Sequence, residues 1–262
     1  MRQSISKRIA VIALAMAAAG FTAASLAGDV AQVAPMPGQS LAADESGTPP
    51  PALRLRAIVA RAWDDSIATW RRLIGARADE IAAVSLRFMP RLTPMNCYGL
   101  YAGEGPTYCS GNQTIFVGTD EAYRLMAKLG PQGEAGITFL IGHEMGHHIQ
   151  NIHGRFHYLA AALTVAPSRR VELVRRFELE ADCYAGVWIR SSTAWSASGA
   201  FRSDLMSVLA SIGDDTLVGR APDANALSLG VHGTSAQRTR WFTRGTQSGN
   251  LAACDTFAAA QP

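Results

Sequence analysis

Between residues 53 and 78, apolar side chains recur at steps of three and four: Leu55, Ile58, Val59, Ala62, Ile67, Trp70 and Ile74. Such spacing lines one face of a helix and predicts one from Leu53 to Ala78. Pro90 and Pro94 then break the chain. Thr114-Ile115-Phe116-Val117, short and rich in β-branched and aromatic residues, is the best strand candidate. Thr119 reads as the N-cap of a helix reaching Leu129, with Asp120 and Glu121 in its first turn. Gly130-Pro131 separates it from a helix over Glu134 to Ile152, which Gly154 can end. Further helices are predicted from Pro167-Ser168 to Arg190, around Phe201–Ile212, and, past a polar loop at Asp214-Asp215, after Thr234-Ser235. The pattern predicts one mainly α domain of α+β type over residues 53–262.

The first 27 residues read differently. Arg2, Lys7 and Arg8 precede an unbroken apolar run from Ile9 to Ala19, and Ser25-Leu26-Ala27 offers a small-residue cleavage site before Gly28. This is the three-part layout of a secretory signal, and Ile9 to Ala27 is also just long enough to serve as a membrane anchor. Either outcome puts the rest of the chain outside the cytoplasm, periplasmic or secreted. Residues 28–52 form a linker rich in Ala, Pro, Gly and Ser. The leader also settles the charge. The three basic residues it holds leave 21 of the 24 to face 21 acidic ones, so the formal +3 is the leader's and no basic patch calls for nucleic acid.

Cys97, Cys109, Cys183 and Cys254 suit an exported chain, where an even count implies disulfides with three alternative pairings. Local closure of the loop between Cys97 and Cys109 would leave Cys183 to tie a central helix to the tail through Cys254. A cysteine zinc site is the weaker reading, because no C-x-x-C pair is present.

Residues 143–147 read His-Glu-Met-Gly-His. In a helix His143 and His147 project from one face and can share a metal ion, zinc by preference. Glu144 lies about 100° around the helix and borders the same site as a proton acceptor rather than a ligand. Gly142 and Gly146 immediately precede the two histidines and cost the helix about 1 kcal/mol each relative to alanine. A helix tolerates them where something approaches its backbone closely. A third ligand is needed, and Phe177-Glu178-Leu179-Glu180-Ala181-Asp182 supplies acids on a helical stretch. Glu178 completes a two-His, one-Glu zinc site, with Asp182 accepting a hydrogen bond from the far nitrogen of His143. Glu180 is the rival ligand, one register away. His232 is a candidate oxyanion donor, just before a helix start and next to Gly233, which would leave room for substrate; Tyr123 is the runner-up. His148 lies off the shared face, and His153 and His157 follow the helix end.

The stretches from His143 to Gln150 and from Glu178 to Trp188 together resemble the bacterial neutral zinc metallopeptidase family. So do Ile212-Gly213-Asp214-Asp215, His232 to Arg238, Cys254-Asp255-Thr256-Phe257 and the loop ending in Gly105-Pro106-Thr107-Tyr108-Cys109. The resemblance spans Arg56 to Phe257. It implies a gluzincin-like, zincin-type fold with His143, His147 and Glu178 on one zinc ion and Glu144 as catalytic acid and base. Where the family often has Phe-Thr, this chain has Gly230-Val231. The function this points to is zinc-dependent hydrolysis of peptide bonds in peptide or protein substrates, with the Thr114–Val117 strand offering its edge to the substrate. The rivals are an amidase of cell-wall peptides and a non-catalytic zinc-stabilised scaffold of the cell envelope. A scaffold would have no use for Glu144.

Overall fold

The computed structural model describes residues 51–90, 95, 97, 105–196, 198–218 and 230–262. The leader and all but the last two residues of the linker lie outside the described residues, as does Pro94.

Helix α1 (Pro51–Leu73) leads through a 3-10 turn to α2 (Ala78–Ala82) and strand β1 (Ser85–Met89). Strands β2 (Pro106–Cys109) and β3 (Thr114–Gly118) form a hairpin, followed by α3 (Thr119–Leu129) and α4 (Gly133–Ile152). Helices α5 (Arg155–Val165), α6 (Arg170–Ser191), α7 (Gly199–Ser211), α8 (Asp214–Val218) and α9 (Ser235–Ser248) complete the order, with a last 3-10 turn at Leu251–Cys254. The architecture is mainly helical with one small sheet, of α+β type.

The strand read from sequence is the middle one. The sheet order is β1-β3-β2, with β1 parallel to β3 (Ser85 opposite Thr114) and β2 antiparallel to it (Cys109 opposite Thr114). The expectation that Thr114–Val117 offers a free edge is therefore overturned: it is paired on both sides, and β2 flanks it. β1 carries Leu86 and Phe88 alternating with exposed Ser85 and Arg87, a half-buried strand pattern. Thr119 is the first residue of α3 rather than its cap; Gly118 holds the cap position and makes no side-chain bond there. Gly154 does end α4, in a left-handed conformation at φ 72°, but α5 begins at once. The polar loop at Asp214-Asp215 is the start of α8. Thr234 caps α9 through a capping box with Gln237.

Helix α4 is central and buried on nearly every face, from Ala135 to Gln150 with Leu140 alone half-buried. It packs against α1, α3, α6, α7 and β2, which is why its sequence lacks a polar stripe. Close approach explains its glycines. A Cβ on Gly146 would sit 2.9 Å from the Ala181 carbonyl, and one on Gly142 would sit 2.5 Å from the Trp188 ring. Both clashes are with α6, so the two glycines set the helix-to-helix distance that the site requires. Disulfides join Cys97 to Cys109 and Cys183 to Cys254, the pairing that local loop closure predicts. No helix among the described residues is long and apolar enough to cross a membrane.

Candidate metal centre

His143 and His147 stand one turn apart on α4, both buried, with ring centroids 4.6 Å apart. Glu178 comes from α6, and its Oε2 lies 3.2 Å from His143 Nε2 and 3.5 Å from His147 Nε2. One ligand atom from each of the three residues falls within 4.8 Å of the others. Two imidazole nitrogens and one carboxylate oxygen at this spacing fit a zinc ion with an open position.

The outward nitrogen of each ring is held in turn. Asp182 Oδ1 accepts from His143 Nδ1 at 2.8 Å, as the sequence predicts. Arg238 of α9 grips the same carboxylate twice, from Nε at 2.9 Å and from an Nη at 3.0 Å, and both residues are buried. Burial alone would lower the His143 pKa, but the hydrogen bonds to Asp182 and Glu178 outweigh it and raise it to about 10. His147 Nδ1 meets the side-chain oxygen of Gln150 at 2.7 Å, and Phe177 stacks on its ring at 5.3 Å. Burial likewise opposes a carboxylate at Glu178, yet the two histidines hold its pKa well below the usual range.

Glu180 turns the other way. It is fully buried against Arg155, whose Nε donates to Oε2 at 3.0 Å, and it accepts from Gln150 Nε2 at 2.8 Å. It does not reach the histidine cluster directly. His148 donates to or accepts from Tyr108 at 3.0 Å and contacts the Glu80 carbonyl, fixing β2 and α2 on α4.

Glu144 is buried beside the two histidines, and its Oε2 accepts from the Tyr108 N–H at 2.6 Å. Burial pushes its pKa up, against the pull of His147 and His143. Its environment therefore favours carrying a proton more readily than a solvated glutamate does. A cleft of about 490 Å³ opens over His143 and Glu144, with Pro106 of β2 on its wall. Its far wall is Leu125, Leu129 and Val208 from α3 and α7.

His232 borders this cleft, its side chain 46% exposed. Its Nε2 is 3.8 Å from Glu178 Oε2, and its Nδ1 is 3.8 Å from Asp214 Oδ1. Burial lowers its pKa, against the pull of Glu178 and Asp214. The neighbouring Gly233 is also required by its backbone. Its φ of 96° and a 3.0 Å approach of its would-be Cβ to Leu179 call for glycine, and Asp214 Oδ2 accepts from its N–H at 2.7 Å. Tyr123 is partly exposed on α3 and does not line the cleft.

The arrangement is a buried cluster of two histidines and one glutamate that could hold a metal ion, with a second glutamate, Glu144, beside it at a cleft. Over residues 2–257 the chain matches the family described as "Putative neutral zinc metallopeptidase", and it belongs to that family. It is 35% identical over 158 residues to YpfJ of Escherichia coli (strain K12), covering 58% of this chain and 54% of that one. It is 34% identical over 168 residues to Mb2605 of Mycobacterium bovis and, equally, to Rv2575 of Mycobacterium tuberculosis (strain H37Rv), covering 60% of this chain and 56% of each relative. All three relatives are described as uncharacterized proteins. The chain thus spans about half the length of the curated relatives it matches. No solved structure matches it.

Proposed function

We propose that this chain is an exported zinc peptidase that hydrolyses peptide bonds in the cleft above α4. The observation that carries the reading is the meeting of His143, His147 and Glu178 ligand atoms within 4.8 Å, with Glu144 buried beside them and bound to nothing that would stop it accepting a proton. The family supports the same chemistry. When bound, zinc supplies a Lewis acid that polarises the carbonyl and lowers the pKa of water to about 7. Glu144 takes the proton from the attacking water and later delivers it to the leaving amine. The Tyr108 N–H steadies the carboxylate during both transfers. β2, the strand beside the cleft, takes the extended substrate along its open side. His232 donates to the oxyanion from the cleft rim. Residues 1–27 serve as the export signal or anchor and 28–52 as the tether, with residues 53–262 as the zincin domain. The two disulfides support an address outside the cytoplasm. The balanced charge behind the leader argues for peptides rather than nucleic acid as partners.

The test is direct. Protein purified without chelator is expected to hold one zinc per chain and to cleave a diverse peptide library, with both properties lost on adding a chelator. His143→Ala or His147→Ala should bind no zinc. Well-folded wild-type protein with no stoichiometric metal by elemental analysis would end this reading, and zinc without any cleavage would favour the scaffold.

The His232 assignment has its own kinetic signature. His232→Ala is expected to lower kcat by about 100- to 1,000-fold with zinc content and KM nearly unchanged. An unchanged kcat removes His232 from the mechanism, and loss of zinc makes it structural.

A further inference from the structure

Gln150 sits three residues after His147 on α4 and is completely buried. Its amide has neighbours on both ends. One end lies 2.7 Å from His147 Nδ1, and the other lies 2.8 Å from the Phe177 carbonyl and 2.8 Å from Glu180 Oε2. A backbone carbonyl and a carboxylate only accept, so the amide nitrogen must face them and the amide oxygen must face the ring. An amide oxygen also only accepts. The ring proton of His147 is therefore on Nδ1, which leaves the Nε2 lone pair directed at the Glu178 carboxylate and the metal position.

The orientation is not self-enforcing. A flipped amide would present its NH2 to Nδ1, favour the proton on Nε2 and block that nitrogen as a ligand. Glu180 prevents the flip, because the reversed amide would press its oxygen against both the carboxylate and the Phe177 carbonyl. Glu180 is itself fixed: Arg155 donates to it from two nitrogens, and Asp255 from the C-terminal tail holds Arg155 at 3.0 Å. The Tyr158 and Phe257 rings flank the same guanidinium at 5.2 and 4.9 Å.

We infer that Gln150, locked by Glu180 and Arg155, is the positioning residue that commits His147 to bind metal through Nε2. This rests on the zinc-centre reading above and assigns an amide-held arm to His147, as distinct from the carboxylate-held arm on His143. It also gives Glu180, the rival ligand by sequence, a role two residues removed from the metal.

The experiment uses the full chain and zinc itself, with affinity measured by competition against a chromophoric chelator and folding by circular dichroism. Gln150→Leu is expected to fold and to raise the zinc Kd by about 10- to 100-fold. Cobalt-substituted protein should show a visible band in Gln150→Leu shifted from that of wild type. A second measurement needs no variant: in histidine-15N-labelled, zinc-loaded wild type, His147 should carry its proton on Nδ1. A folded Gln150→Leu that binds zinc as wild type does overturns the inference and leaves the zinc centre standing, and so does a His147 proton on Nε2. Wild type that binds no zinc overturns the zinc centre and this inference with it.

Discussion

Glu144→Gln is expected to keep its zinc and its fold while hydrolysis falls by about 100- to 10,000-fold, the usual cost of removing a general base. The amide matches the carboxylate in shape and still accepts the Tyr108 N–H that the structure places 2.6 Å from Oε2. What it lacks is a site for the proton of the attacking water. Because Glu144 is not among the three converging ligands, zinc stoichiometry should be unchanged. Steady-state kinetics on one identified peptide, beside elemental analysis of the same preparation, separate the two effects. Cleavage at the wild-type rate by Glu144→Gln would remove the proposed mechanism.

Arg238→Met should destabilise the protein by about 3–5 kcal/mol, the cost of breaking a buried ion pair from one side. The arginine is buried, and both oxygens of the fully buried Asp182 accept from it. Its loss leaves that carboxylate with His143 alone to offset its burial. Denaturant melts read the loss. The pair also has a pH signature. Burial would raise the Asp182 pKa, but Arg238 and His143 outweigh it and hold it below the usual aspartate range in the folded state. A carboxylate with a depressed folded pKa contributes stability that is complete above the unfolded value and is lost as pH falls through the folded one. The stability gap between wild type and Arg238→Met should therefore be full at neutral pH and shrink in acid, as pH falls through the depressed folded value. A gap that stays constant into acid would show that the arginine stabilises by packing alone.

Much of the helical frame is legible: α1 shows its apolar spacing, and α3, α4, α6 and α9 are bounded by the proline, glycine and capping residues at their ends. The sheet is less so. β2 has only four residues, and β1 buries its apolar side chains only partly, so neither accumulates a clear signal. α5 was hidden because it buries none of its residues fully and begins directly at a glycine that signals an end. In the site, His143, Glu144, His147, Glu178 and Asp182 lie on two helices whose internal spacing already brings them into register. The groups that orient them do not announce themselves. Arg238 is 56 residues from Asp182, and such a pairing has no local pattern. Gln150 does have one, an i, i+3 step from His147 on the same helix, but a glutamine after a histidine is common enough to pass unread. The choice of Glu178 over Glu180 likewise depended on which face of α6 meets α4, and Gly146 against Ala181 decides that by contact.

The Cys183–Cys254 bond closes a covalent ring that starts on the helix carrying Glu178 and includes all of α7, α8 and α9. A peptide bond cut anywhere in that ring leaves both pieces on one molecule, with Arg238 still tethered to the helix that carries Asp182. If the proposed peptidase activity acts between copies, this divides the chain into a segment where nicks are survivable and one where they are not. A cut between Cys183 and Cys254 should run as one band without reductant and as two with it. A cut between α4 and α6 sends the histidines and Glu178 to separate pieces that only packing holds together.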